Sequence, residues 1–194
     1  MMGMVVVEAL AVFLALAYLV LAARENIWCW YCALASSALY VFVMWDARLL
    51  TEAVLNVFYV VMAVLGWLRW RRGGDHGTIT SLRAWQHAGL LLMILALTLA
   101  NGWAMARWTS AAWPFVDSLI TWASVVTTFL VVHKVLENWL YWIVIDGLAL
   151  VIYIERGLYM TAMLYALYLV IVVFGYYEWR KEHRKSAALS PAQQ

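Results

Sequence analysis

Apolar residues fall into seven runs, approximately 4–22, 27–45, 51–70, 84–104, 112–134, 139–154 and 157–178, with charged residues gathered between them. A helix needs about 20 apolar residues to cross a hydrocarbon core about 30 Å thick. Each run is close to that length, and none alternates in the way a barrel strand would. The pattern therefore predicts seven membrane-spanning helices. The first run lacks a basic leader and carries Glu8 near its start, so it is read as a retained span rather than a signal peptide. The only prolines are Pro114, at the start of the fifth run, and Pro191, in the tail, which fits long uninterrupted helices.

Composition sharpens this reading. Of 194 residues, 67% are hydrophobic and 12% charged, with a mean hydropathy of +0.83. Soluble domains hold about 45–50% apolar and about 25% charged residues. A soluble globular domain and a disordered chain are both excluded. A net charge of +2 gives no electrostatic reason to expect nucleic-acid binding. Cys29 and Cys32 form a single C-x-x-C inside an apolar run. With no second pair, they read as two small apolar residues on adjacent helix turns rather than a metal or redox site.

Basic residues set the expected orientation. Arg24, Arg69, Arg71, Arg72, Arg83, Lys134, Arg180, Lys181, Arg184 and Lys185 would share one side, and only Arg48, Arg107 and Arg156 the other. The positive-inside rule then places the C-terminus in the cytoplasm and the N-terminus outside, which an odd number of spans permits. The longest loop, Arg71 to Arg83, contains Gly73, Gly74 and Gly77 and reads as a flexible cytoplasmic connector.

The chain also resembles itself. Val7-Glu8-Ala9-Leu10 matches Val116-Asp117-Ser118-Leu119, and Glu25-Asn26-x3-Trp30 matches Glu137-Asn138-x3-Trp142. Asp46 matches Glu155, and Tyr59-x6-Gly66-x3-Trp70-Arg71 matches Tyr168-x6-Gly175-x3-Trp179-Arg180. In this alignment the spacing changes by three residues, about one helical turn, in two places. The expected fold is all-α, with two parallel three-helix repeats joined by a linker helix. The corresponding divisions are 1–72, 73–111, 112–180 and a cytoplasmic tail, 181–194. Parallel repeats related by an axis along the membrane normal are a transporter signature, with the substrate held near the midplane.

Charges inside spans need a partner, a cavity or an interface. Glu8 and Asp117 lie near helix starts, where headgroups would solvate them. Asp117, Thr121, Ser124 and Thr128 form one helix face, either as helix–helix hydrogen bonds or as the wall of a polar path. Glu52, Asn56 and Tyr59 share a face of the third helix; Thr161, Tyr165 and Tyr168 take the equivalent places on the seventh, with the same spacing. Asp146 is the most informative charge. It follows Trp139 and Trp142 on one stripe, and a carboxylate flanked by indoles suits a flat cationic or polar ring. Tryptophan also favours membrane interfaces, which would account for Trp139 more simply.

No P-loop, H-E-x-x-H, G-x-S-x-G or histidine cluster is present; His76, His87, His133 and His183 sit at loops or helix ends. Neither an enzyme nor a metal or cofactor site is expected.

The run from Glu137 to Asp146 resembles the W-x-x-W-x-x-x-[N/D] signature of the PnuC family of vitamin transporters, as do Pro114-Phe115-Val116-Asp117-Ser118 and Gly157-Leu158-Tyr159. The resemblance covers nearly the whole chain. It implies a 3+1+3 arrangement similar to the sugar-transporting SWEET proteins, and a homotrimer in the bacterial inner membrane. It implies uptake of nicotinamide riboside by facilitated diffusion, with a separate cytoplasmic kinase trapping the product. By position, Trp139, Trp142 and Asp146 would line the site, and Asn56 stands where a relative has glutamine. Thiamine transporters of similar architecture keep a second substrate open. Nicotinamide riboside and thiamine each pair an aromatic cation with a hydroxylated arm.

The expected cycle has the substrate ring stacking on Trp142, with Trp139 beside it. Asp146 and Asn56 hold its polar groups, and Tyr59, Tyr165 and Tyr168 close the pocket. The two bundles then rock about the site, with Gly66 and Gly175 permitting close helix contact. A channel or proton path through Glu8, Glu52, Asp117 and Asp146 is the alternative from another class. A non-transporting membrane scaffold is a third reading, and it leaves Asp146 unexplained.

Overall fold

The computed structural model describes residues 2–46, 50–72, 78–109 and 113–189. Seven helices follow in order: α1 (Met2–Ala23), α2 (Cys29–Asp46), α3 (Leu50–Arg72), α4 (Ala84–Trp108), α5 (Pro114–Val132), α6 (Asn138–Glu155) and α7 (Tyr159–Leu189). All seven are long and apolar enough to cross a membrane. Every expected span is matched by a helix. The connector glycines Gly73, Gly74 and Gly77, together with Arg48, His76 and Pro191, lie outside the described residues.

One boundary differs substantially. α7 runs to Leu189, well beyond the end of its apolar run near 178. Hydropathy stops there, but helix propensity does not. The segment after Glu178 is rich in Lys, Arg, Glu and Ala, all good helix formers, and Lys185 pairs with Glu182 at 3.0 Å across one turn.

The turns between helices repeat with a fixed register. Glu25 N–H donates to the carbonyl of Ala22, Asn26 N–H to Leu21 and Cys29 N–H to Asn26. Lys134 N–H donates to Val131, Val135 N–H to Leu130 and Asn138 N–H to Val135. Every partner in the second set stands at one offset from its counterpart, Leu21 to Leu130 as Ala22 to Val131 and Asn26 to Val135. Glu25 and Lys134 both hold left-handed backbone angles, φ 52° and 51°. The ends of α1 and α5, both ends of α2 and α6, and the starts of α3 and α7 keep the same offset. The register is therefore constant, without the three-residue shifts that side-chain identity suggests. Trp30 corresponds to Trp139, not Trp142, and Glu25 to Lys134, not Glu137.

Two compact units result: Met1–Thr78 with Phe174–Gln194, and Ile79–Val173. In the first, α2 packs against both α1 and α3. Trp30 is its centre, 6.1 Å from Tyr18 and edge-on to Trp70 at 5.2 Å. Gly66 lies against the Trp30 indole, where any Cβ would overlap ring carbons. Ser36 Oγ donates to the Ala11 carbonyl at 2.8 Å, and Trp179 Nε1 to that of Ala22 at 3.0 Å. Cys29 and Cys32 lie in the first turn of α2 and form no disulfide.

In the second unit, α5 packs against α4 and α6. Ile94, Ala123, Val126 and Ile145 form its core, with Leu90, Leu119, Ile120, Tyr141 and Trp142 packed around them. A short strap before α4 joins the α5–α6 turn. Thr80 N–H donates to the Lys134 carbonyl at 2.9 Å, and Leu136 N–H to the Thr80 carbonyl at 2.8 Å.

Candidate functional site

α6 carries the informative stripe. Trp139, Trp142, Asp146 and Tyr153 follow at steps of three, four and seven, so all four project from one side of the helix. Trp139 is 1% exposed and Asp146 4%. Trp142 is half-buried, with one part packed on the unit's core and the rest accessible. Among the described residues, no hydrogen bond or ion pair reaches the Asp146 carboxylate. A buried ionised carboxylate without compensation is expensive. This makes Asp146 a candidate for contact with a ligand or with water.

Among the described residues of this unit, Thr98 Oγ1 on α4, Trp122 Nε1 on α5 and Asn138 Oδ1 on α6 are buried polar atoms without a hydrogen-bond partner. Each such atom costs about 1–3 kcal/mol unless water or a ligand satisfies it. The opposite side of Asn138 is used, since its Nδ2 donates to the Val135 carbonyl at 2.7 Å.

An aromatic pair links α7 to α6. Tyr165 stacks on Tyr153 with centroids 5.2 Å apart, and Tyr168 meets Tyr165 edge-on at 5.5 Å. Sequence pattern does not single out Tyr153. Its seven-residue step from Asp146 is the available signal.

The α5 stripe behaves differently. Thr121 Oγ1 donates to the Asp117 carbonyl and Thr128 Oγ1 to that of Ser124, both at 2.8 Å. These hydroxyl protons are committed to their own helix, so the face offers acceptor lone pairs rather than donors. Ser124 itself is buried. Asp117 faces Arg156 at 3.9 Å, with both side chains partly exposed, and the Arg156 guanidinium lies over Trp113. One polar link lies beyond sequence reasoning. Asn101 Nδ2 on α4 donates to Ser118 Oγ on α5 at 2.9 Å, beside Met105.

The remaining candidates belong to the first unit. Asn56 Nδ2 donates to the Glu52 carbonyl of its own helix at 2.9 Å, leaving its oxygen available. Tyr59 lies 5.5 Å from the ring of Phe58. Glu8 and Glu52 are both exposed.

Glu137, which opens the signature run, has a role its sequence position does not disclose. Its two carboxylate oxygens accept from Ser81 Oγ and from Leu82 N–H, the latter at 3.2 Å. One turn on, the Tyr141 hydroxyl lies 2.9 Å from His87 Nδ1, with the two rings stacked.

Comparison with known proteins gives this geometry a context. Residues 5–181 match the model of a family described as nicotinamide mononucleotide transporters. The chain is 23% identical to the nicotinamide riboside transporter PnuC of Escherichia coli, covering 95% of this chain and 90% of that protein. It is 24% identical to the riboflavin/roseoflavin transporter RibM of Streptomyces davaonensis, covering 90% and 84%. The fold is that of a crystal structure of the vitamin B3 transporter PnuC, with a TM-score of 0.75, 21% identity, and coverage of 92% of this chain and 82% of that one. The chain is a multi-pass membrane protein and belongs to the nicotinamide mononucleotide transporter family, with the PnuC vitamin transporters among its relatives.

Proposed function

We infer that this protein carries nicotinamide riboside into the cell by facilitated diffusion, and that a separate cytoplasmic kinase traps the product. The observation that carries this reading is Asp146: a carboxylate 4% exposed, mid-helix in a membrane span, with no cation supplied by the described residues. Nicotinamide riboside brings a positively charged aromatic ring and a hydroxylated sugar. The accessible part of Trp142 would stack the ring, since indole faces attract cations. Asp146 would balance the charge or accept the polar hydrogens. Trp139, buried at the base of the stripe, supports the helix, while Tyr165 and Tyr168 border the site with Tyr153. Transport runs downhill, the site opening alternately to the two sides, and no driving ion is required.

The protein would lie in the bacterial inner membrane, N-terminus outside and C-terminus inside, as a homotrimer of 3+1+3 protomers. The repeated turns, held at one constant sequence offset, support the duplication.

Thiamine is the second reading, because Asp146 would serve its cationic thiazolium ring equally well. Intrinsic tryptophan fluorescence of the purified protein tests both. Nicotinamide riboside and thiamine are titrated in parallel, with nicotinamide as the ring-only control. Saturable quenching by nicotinamide riboside alone supports the first reading, and by thiamine alone the second. Ionic conductance without binding of either would favour the ion or proton channel.

A further inference from the structure

The duplicated turns supply an internal comparison for α6. α2 and α6 begin and end at equivalent positions, Cys29 with Asn138 and Asp46 with Glu155, and enter from turns with the same hydrogen bonds. Where α6 has Glu137, Tyr141, Trp142 and Asp146, the α2 segment has Trp28, Cys32, Ala33 and Ser37. The same helix is thus built once without any of these four side chains. What α6 adds is not needed to form the turn or the helix.

Two of the four additions are tied to the protein. Glu137 is held by Ser81 and Leu82 of the strap, and Tyr141 by His87 in the first turn of α4. Residues four apart lie one above the other on a helix, so both tethers act on one face. Trp142 and Asp146, also four apart, form the adjoining face, with Trp142 about 100° round from Tyr141. Two tethers one turn apart fix a helix both in rotation and along its axis. A rotation of about 20° would displace a side chain about 5–6 Å from the axis by about 2 Å. A binding constellation tolerates only about 0.5 Å and 10–20°.

We propose that Glu137 and Tyr141 are positioning residues for transport: the Ser81–Glu137 and His87–Tyr141 links hold α6 at the rotation that aims Trp142 and Asp146 at the substrate. This rests on the reading of Trp142 and Asp146 as the binding face. The strap and α4 then serve as an external brace for the site, and do more than connect the repeats.

The test uses full-length protein labelled with 5-fluorotryptophan, with the Trp142 resonance assigned by Trp142→Phe. Its ¹⁹F shift is read without ligand, and Kd for nicotinamide riboside is read by titration. Glu137→Ala is expected to move the Trp142 resonance and to weaken binding at least tenfold in folded, monodisperse protein. Glu137→Gln keeps an acceptor oxygen for Leu82 N–H and is expected to restore Kd to within about threefold, because the link is remade. Adding Ser81→Ala to Glu137→Ala is expected to change nothing more, because both break one link. An unmoved resonance with unchanged Kd in Glu137→Ala overturns the proposal. So does a lowered melting temperature with resonance and Kd both intact, the mark of a merely structural tie. If Glu137→Ala fails to fold, Tyr141→Phe removes a single oxygen and is judged by the same two outcomes. Failure of the binding-face reading looks different: Asp146→Ala would then bind as the wild type does, whatever Glu137→Ala does to the resonance.

Discussion

Trp70 and Trp179 hold equivalent positions in the two halves of the chain, and their ring centroids lie 6.1 Å apart. Trp70 lies in the last turn of α3 and Trp179 ten residues before the end of α7, and both are buried. Their roles differ despite the shared position. Trp70 packs edge-on to Trp30, whereas Trp179 sends its indole N–H to the Ala22 carbonyl at the end of α1. The ring pair joins α3 to the late part of α7, and the buried hydrogen bond ties α7 to α1.

Trp179 therefore separates two contributions. Trp179→Phe keeps most of the packing and loses one hydrogen bond, for an expected cost of about 0.5–1.5 kcal/mol, since the Ala22 carbonyl still accepts from Glu25 N–H. Trp179→Ala also opens a cavity and should cost about 3–5 kcal/mol. Thermal unfolding in detergent, followed by fluorescence or size-exclusion loss, checks the ordering. Equal melting temperatures for the two variants would show that the indole ring contributes little.

Gly66 and Gly102 make a matched test of how rigid a neighbour is. A Cβ at Gly66 would overlap Trp30, which is buried and flanked by Tyr18 and Trp70. A Cβ at Gly102 would overlap Phe115, an exposed ring with room to swing away. Gly66→Ala should destabilise by about 1–3 kcal/mol, the usual range for overpacking. Gly102→Ala should cost much less. Combining Gly66→Ala with Trp30→Leu should recover part of the loss. A Gly102→Ala variant that melts lower than Gly66→Ala would contradict this.

Arg156 bears on the polar face of α5. Its contact with Asp117 is 3.9 Å long and open to water. Exposed pairs of this kind contribute about 0–1 kcal/mol. Arg156→Gln should leave the melting temperature nearly unchanged, and stability should be nearly independent of salt. A large salt-sensitive loss would mean that the cluster with Trp113 acts as a latch.

The helices are legible in the sequence because hydropathy and length suffice when the solvent is a bilayer. Where hydropathy ceases to be the deciding factor, at the end of α7, it misplaces the boundary. Side-chain identity also misleads the repeat register. Glu-Asn-x3-Trp occurs in both entrances, but backbone geometry pairs Glu25 with Lys134, because the left-handed residue and its hydrogen bonds, not the carboxylate, define the turn. Asp146 is legible as a charge in an apolar run. The partners of Glu137 are not, since Ser81 and Leu82 lie far away in the chain and only tertiary folding brings them together.

Asp146 also bears on substrate choice. A carboxylate this deeply buried favours a ligand that brings positive charge, as nicotinamide riboside and thiamine do and riboflavin does not. Asp146→Asn retains shape and an acceptor oxygen while removing the charge. Charge-assisted hydrogen bonds are worth about 1.5–3 kcal/mol against about 1 for neutral ones. Asp146→Asn should therefore weaken the cationic ligand by about 3-fold to 30-fold, each tenfold being about 1.4 kcal/mol. Asp146→Ala should weaken it further. Binding of riboflavin, if measurable, should be unchanged or improved by Asp146→Asn, since a neutral ligand gains nothing from the charge and still bears the cost of desolvating it. Parallel titrations of the two variants with all three vitamins check this. Equal weakening of cationic and neutral ligands would mean that Asp146 reads hydrogen bonds and not charge, leaving selectivity to the tyrosines and tryptophans around it.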